Sequence, residues 1–423
     1  MMLETTARAI ESFHRRPRVL RLECGVQHYD WGDPDAIPAI LGRANRERRP
    51  FAELWAGAHP DLPSTAFVDD VRVPLDELIR AAPDEVLGAE VAARFDGELP
   101  FLLKILAAGK PLSIQAHPNS VQALQGFARE NGEGLPLDAP TRSYHDPHHK
   151  PELLVALSDF YTLRGFRPLA EIARALGKTP ELAPLAGHFR PDSDGLAALY
   201  GHLMRLEQAS LNALLDPLIG RLVEEARDRR FTQEDPEYWI LRADREFSAP
   251  GHRDHGLLSM FLLNLVHLRP GQAVYLPAGE LHSYLDGMGM ELMANSNNVL
   301  RGGLTHKHVD LEELLRVLSF HGAPADILTP ESAPGLPGLV TYPTPAGEFA
   351  LSRRALPSGG DCLLGGGDLV LALVTEGSVE FVEEGTPPKQ VSGGEAILVP
   401  AGLSCRISSA NGAVLGEARV PQG

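Results

Sequence analysis

Three separated stretches of this chain carry the side chains that could do chemistry together. The first is SIQAHP, with Ser113, Gln115 and His117; Gln115 and His117 stand two residues apart, so on a strand they point to the same face and both can reach one ion. The second runs from Tyr144 to Glu152, where Asp146, His148, His149, Lys150 and Glu152 crowd a proline-bounded strand edge. The third has Gly271, Pro277, Gly279 and His282 in the order G-x5-P-x-G-x2-H. Gly271 suits a hairpin at positive φ, and the turn from Pro277 to Gly279 delivers the His282 imidazole toward an interior. Two imidazole nitrogens, one carboxylate and one amide oxygen make a shell for a borderline divalent ion, with a position left for water or substrate. An open position of that kind implies catalysis.

Positioning these groups takes mostly strands. The apolar run Ala273 to Leu276 reads as a strand leading into the His282 turn, and the turn resembles the second histidine motif of the cupin barrels. The same spelling returns as Gly394, Pro400 and Gly402, with Cys405 where the first copy has His282. Such a repeat predicts two related barrels, of which one keeps its histidine. Short apolar runs from about 18 to 160, such as FLLKIL at 101–106 and LLVAL at 153–157, suit further strands. After Pro168 the spacing changes: Leu196, Leu199, Leu203 and Leu206, then Leu211, Leu214, Leu215, Leu218 and Leu222, recur at helical steps. The expected fold is therefore mainly β, two cupin-type jelly-roll barrels with an inserted α-helical domain. Its boundaries are 18–167 plus 266–322 for the first barrel, 168–265 for the helical insertion and 340–423 for a metal-free second barrel. A last helix is expected over Leu311–Leu318, and the Pro- and Gly-rich passage His321 to Pro345 reads as a linker.

Composition narrows the partners. A chain of 423 residues, 43% hydrophobic, has ample core for several domains. The first twenty residues never reach the apolar run of a signal peptide, and no membrane span is needed, so the expected location is cytoplasmic. Cys24, Cys362 and Cys405 are widely spaced and form no C-x-x-C pair, which indicates neither a disulfide framework nor a thiolate zinc site. The net charge of -17 argues against nucleic acid as partner. A small anionic substrate would need local cations, and the scarce lysines, Lys104, Lys110, Lys150 and Lys307 among them, cluster beside the motif segments.

Taken together, QHYDWG at 27–32, ELWAGAHP at 53–60, LPFLLKIL at 99–106, LSIQAHP at 112–118, HKPELLVAL at 149–157, YLPAGELHSYL at 275–285 and NVLRGGLTHKHVD at 298–310 resemble the type I phosphomannose isomerases. The resemblance implies a zinc enzyme with a catalytic jelly roll, a helical insertion and a second jelly roll. It places the zinc ligands on Gln115, His117, Glu152 and His282, with one zinc ion per chain. It places an active-site arginine on Arg301, a lysine and histidine beside the carboxylate on Lys150 and His149, and a phosphate-side lysine and serine on Lys104 and Ser113. The implied catalytic set is Arg301, His149, Lys150 and Glu152. The implied reaction interconverts mannose 6-phosphate and fructose 6-phosphate, moving a proton between C2 and C1 through an enediol(ate). The partner is then a small sugar phosphate, with neither nucleic acid nor membrane, and the expected state is a monomer.

Two departures bear on this reading. Many relatives carry aspartate where this chain has Asn297, and an amide cannot act as a base, which shifts that role toward His149 or Glu152. Relatives also tend to lack the imidazoles of His148 and His306. The competing readings are an oxygen-using cupin, a non-catalytic sugar-binding cupin and an isomerase of an unphosphorylated sugar.

Overall fold

The run Phe101–Ala108 is apolar at every position but Lys104 and forms a strand buried along its whole length. A continuous apolar run is what a strand covered on both faces requires. Phe101, Leu103, Ile105 and Ala107 enter one core, while Leu106 enters another, the period of two that a pleated strand imposes. The same parity governs Glu152–Ala156, where Leu153 and Val155 join the first core and Leu154 and Ala156 the second. Lys104 and Glu152 therefore lie on the face that encloses the second core, together with Tyr284.

The computed structural model describes residues 2–421, and its ladders are antiparallel. One sheet has ten strands, ordered along its main path as Leu263–Leu268, Phe160–Phe166, His282–Ala294, Phe101–Ala108, Glu53–Ala56 and Gly25–Gln27. The long strand His282–Ala294 also pairs with Gln115–Ala116 and with Glu152–Ala156, so one rod gathers the three stretches singled out in the sequence. The other sheet has twelve strands and is built mainly from residues beyond 330. In its strand Val370–Val382, Leu371 and Leu373 face the core shared by both sheets, while Val370, Ala372 and Val374 face a separate core with Phe381, Ile397, Cys405 and Ile407.

The helical block expected over 168–265 is present as a succession of helices from Leu169–Lys178 to Ser259–Leu262. Its leucine stripe is interior: Leu196, Leu203, Leu211, Leu215, Leu218 and Leu222 are all buried around Trp239. The late helix spans Leu311–Val317. Elsewhere the molecule departs from the sequence expectation. Leu20–Glu23, Thr65–Val68 and Val71–Pro74 lie in the twelve-stranded sheet rather than with the rest of the first segment, because Leu20–Glu23 pairs with Glu395–Val399. The passage read as a linker carries the strand Leu339–Tyr342, paired with Ala350–Leu356. Within the segment read as strands stands the helix Ser120–Gly132, started by a reciprocal cap between Asn119 and Gln122; that Asn-x-x-Gln spelling was its available signal.

Candidate metal centre and cleft

His117, Glu152 and His282 offer three ligand atoms that all lie within 4.8 Å of one another, and all three residues are buried. Each imidazole is held by its other nitrogen. His117 Nδ1 donates to the Asn298 carbonyl at 2.7 Å and His282 Nδ1 to the Glu280 carbonyl at 3.0 Å. A carbonyl only accepts, so both Nδ1 atoms carry the proton and both Nε2 atoms present a bare lone pair, the tautomer a metal requires. Those Nε2 atoms each stand 3.3 Å from a Glu152 oxygen, yet neither they nor Glu152 Oε2 makes a hydrogen bond. Buried polar atoms are seldom left in that condition, and a divalent ion of zinc's preferences fits the two nitrogens and the carboxylate. Gln115 is brought to the same place by the ladder, since His282 stands opposite Gln115 and Gln115 opposite Arg301.

Local structure explains how these side chains arrive. In the turn before His282, Gly279 has φ +77° and its Cβ position would lie 2.9 Å from the Val317 carbonyl, so only glycine turns the chain there. Asn298 is fully buried; besides accepting from His117 it donates to the carbonyls of Asp146 and His148. It thereby ties the Asp146–Glu152 stretch to the ligand strand.

The charges around the cluster are paired in layers. Burial alone would push the Glu152 carboxyl up, but Lys150 and His117 outweigh it and hold it well below the usual range; Lys150 Nζ stands 3.2 Å away. Burial pushes His117 down to about 4, against the opposing pull of Glu152. Lys104 is 6% exposed and lies between Glu53 at 3.6 Å and Glu291 at 3.4 Å, with its ammonium 5.0 Å from the Trp55 ring. Burial would lower it, but the two carboxylates raise it instead. Glu291 is pushed up by burial and by the Glu152 charge and accepts a 2.7 Å hydrogen bond from the Tyr284 hydroxyl.

A cleft of about 390 Å³ opens above this floor and is lined by Ser113, Gln115, Lys104, Lys150, Glu152, Glu291 and Arg301. Lys307, Lys110, His306, Tyr29, Asp30 and Trp31 line it as well. Arg301 is half-buried and pairs with no carboxylate among the described residues; burial alone lowers it. Lys307 is likewise pushed down, first by burial and then by the Arg301 charge, with Asp30 opposing. Both are aimed to one end of the cleft by the turn that follows Arg301. There Gly303, at φ +110°, would place a Cβ 2.5 Å from the Gly256 backbone, and Asp254 accepts from the Leu304 and Gly256 amides.

Of the residues singled out in the sequence, Gln115, Glu152, Lys150, Lys104, Ser113 and Arg301 border the cleft, and His117 and His282 lie behind Glu152. His149 does not join them. Its Nε2 pairs with Glu348 Oε1 at 2.7 Å, so it turns toward the twelve-stranded sheet, and the base role considered for it is not carried forward. Asn297 is clamped rather than free: His59 Nε2 donates to its Oδ1 at 3.2 Å and its Nδ2 donates to Asp61 at 3.2 Å. Sequence reasoning missed Glu53, Tyr284, Glu291 and His59. Alternation gave no signal for Glu291, nine residues beyond His282, because the register shift between Tyr284 and Asp286 is what brings it to the side of Tyr284 and Lys104.

The Phosphomannose isomerase type I catalytic domain profile matches residues 19–169. The mannose-6-phosphate isomerase of Escherichia coli (strain K12) is 39% identical over 336 residues, covering 78% of this chain and 82% of that protein. The Homo sapiens mannose-6-phosphate isomerase is 34% identical over 366 residues, covering 81% and 83%. The structure of Salmonella typhimurium mannose 6-phosphate isomerase bound to fructose 6-phosphate and zinc superposes with a TM-score of 0.83 at 32% identity, covering 96% of this chain and 100% of that one. The chain belongs to the type I phosphomannose isomerase family.

Proposed function

We infer that this chain is a zinc-dependent aldose–ketose isomerase that interconverts mannose 6-phosphate and fructose 6-phosphate. The observation that carries this reading is the set of three bare, buried ligand atoms at the floor of a cleft whose lining also carries Arg301 and Lys307, which form no ion pair with a carboxylate among the described residues. His117, Glu152, His282 and Gln115 hold the zinc. Bound there, zinc supplies electrophilic stabilisation of negative charge developing on the sugar oxygens. The remaining steps belong to side chains. Arg301 offers a fixed planar fork of donors to an anionic oxygen. Glu291, pushed up by burial and by the Glu152 charge and held by Tyr284, is the cleft carboxyl placed to exchange a proton with the substrate. Lys150 compensates Glu152 and keeps it ionised as a ligand.

The phosphate belongs at the Arg301–Lys307 end, with Ser113. Lys104, the lysine expected for that role, already balances Glu53 and Glu291, whereas Arg301 and Lys307 repel each other and neither forms an ion pair with a carboxylate among the described residues, Asp30 only partly offsetting the Lys307 shift. This favours a phosphorylated over a free sugar. The two sheets are read as cupin-type jelly rolls, the second without metal, and the helical block as an insertion into the first. We read the protein as a cytoplasmic monomer; its net charge of -17 disfavours nucleic-acid partners, and no helix among the described residues is long and apolar enough to cross a membrane. A coupled assay on mannose 6-phosphate, with chelator and then with zinc restored, tests the function. Turnover that persists in a chain stripped of metal would overturn it.

A further inference from the structure

The helical block reaches into the cleft at one point. Helix Pro236–Phe247 is fastened to the cleft wall by Arg242, which donates to Asp286 Oδ2 at 2.7 Å and to the Gly109 carbonyl at 2.7 Å. That attachment brings the last two residues of the helix, Glu246 and Phe247, onto the cleft lining. Glu246 Oε2 lies 3.3 Å from Lys110 Nζ, and the Phe247 ring lies 6.0 Å from the His306 ring. An acid in the last helical turn faces the negative end of the helix dipole, so its own helix disfavours the Glu246 charge and the cation across the cleft favours it. Of the other acids on the lining, Glu53, Glu152 and Glu291 lie toward the floor with Lys104 and Lys150, and Asp30 acts on Lys307. Glu246 is thus the carboxylate that the helical block sets against Lys110 at the cationic end.

We propose that Glu246 is a specificity-determining residue: it occupies Lys110 in the substrate-free protein, and the phosphate of an incoming sugar phosphate displaces it. The inference rests on the reading that puts the phosphate at the Arg301–Lys307 end. Lys110 is then a third cation for the phosphate, one that must first be released, and Glu246 sets the cost of releasing it. Both side chains are partly exposed, at 44% and 34%, so their attraction is screened and its loss is small and salt-dependent.

The test uses the zinc-loaded protein, with KM for mannose 6-phosphate and competitive inhibition by inorganic phosphate as readouts. Glu246→Gln is expected to lower both constants about two- to fivefold at low salt, the size of an exposed ion pair, and less at high salt. Lys110→Met is expected to raise both. A bridge that only holds the helix in place would move both variants in the same direction, and that result would overturn the proposal. So would an undiminished effect of Glu246→Gln in the Lys110→Met background, which would mark a diffuse field rather than the pair. Lys307→Met separates the two levels of inference. If it leaves inhibition by phosphate unchanged, the placement of the phosphate fails; if it weakens inhibition while Glu246→Gln has no effect, only the role of Glu246 fails.

Discussion

Glu152 Oε2 and His282 Nε2 stand 3.3 Å apart, and no hydrogen bond joins them. Because the imidazole proton is committed to the Glu280 carbonyl, two electron-rich atoms face each other in a buried place, an arrangement that favours a cation between them.

His117→Ala and His282→Ala are each expected to reduce zinc content from about one ion per chain to near zero, since either loss removes one of the two imidazoles that hold the ion. Elemental analysis of purified protein reads this directly. Zinc at about a hundredfold over its Kd should also add about 2.7 kcal/mol to stability, so wild type should melt lower after chelation while the two variants should not. Equal metal content in wild type and both variants would sink the ligand assignment.

Lys104 separates a structural cation from a substrate contact. Removing it strands Glu53 and Glu291 in the interior, and breaking a buried pair in this way costs about 3–5 kcal/mol. Lys104→Met should therefore unfold at markedly lower denaturant and lose turnover on every sugar. A variant of unchanged stability with only a raised KM for the phosphorylated sugar would return Lys104 to the phosphate.

Glu348 gives a pH signature away from the metal. Burial pushes its carboxyl up, but the hydrogen bond and charge of His149 outweigh that and hold it below the ordinary range. A carboxyl lowered in the folded state adds stability above its unfolded value, and the gain disappears as pH falls through the folded one. Glu348→Gln should cost about 1 kcal/mol at neutral pH, with the gap to wild type closing below about pH 4. Denaturant titrations at several pH values read the gap; one that widens on acidification would refute the pairing.

Cys405→Ser tests the second copy of the turn. The thiol is 2% exposed and pushed up to about 12 by burial, and it packs against Ile407 and Phe381. Zinc content and specific activity should stay at wild-type values, while the buried hydroxyl should lower stability by about 1–3 kcal/mol. Loss of zinc from this variant would show that the far core takes part in metal binding.

The legible and illegible parts of the sequence divide along physical lines. His117 and His282 could be read because short-range rules set their direction, alternation on a strand for one and a glycine turn for the other. The helical block could be read because its leucines keep one period over many turns. The captivity of Lys104 could not, because its partners arrive from strands at Glu53 and Glu291, and nothing local to FLLKIL names them. The same holds for His149, which is spelled beside Lys150 and Glu152 yet paired with Glu348 far along the chain. Leu20–Glu23 reads as any short strand, and its place in the second sheet depends on Glu395–Val399. Helix Ser120–Gly132 is a different case: the Asn119–Gln122 cap was visible, but its apolar stripe is weak, with Val121 and Leu124 exposed.

Phe166 and Leu263 face each other across neighbouring antiparallel strands, so everything from Arg167 to Leu262 leaves and re-enters the sheet through one doorway. In the language of heredity the whole helical stretch is a graft on a hairpin. A change of its length would leave the ladders unbroken, but its core is shared with Ile114, Leu281, Leu300 and Leu314 of the host. Within the block, the stretch from Arg242 to Phe247 supplies a wall of the cleft, while Asp254 holds the turn after Arg301, so a transplanted block lacking either would leave the cleft incomplete.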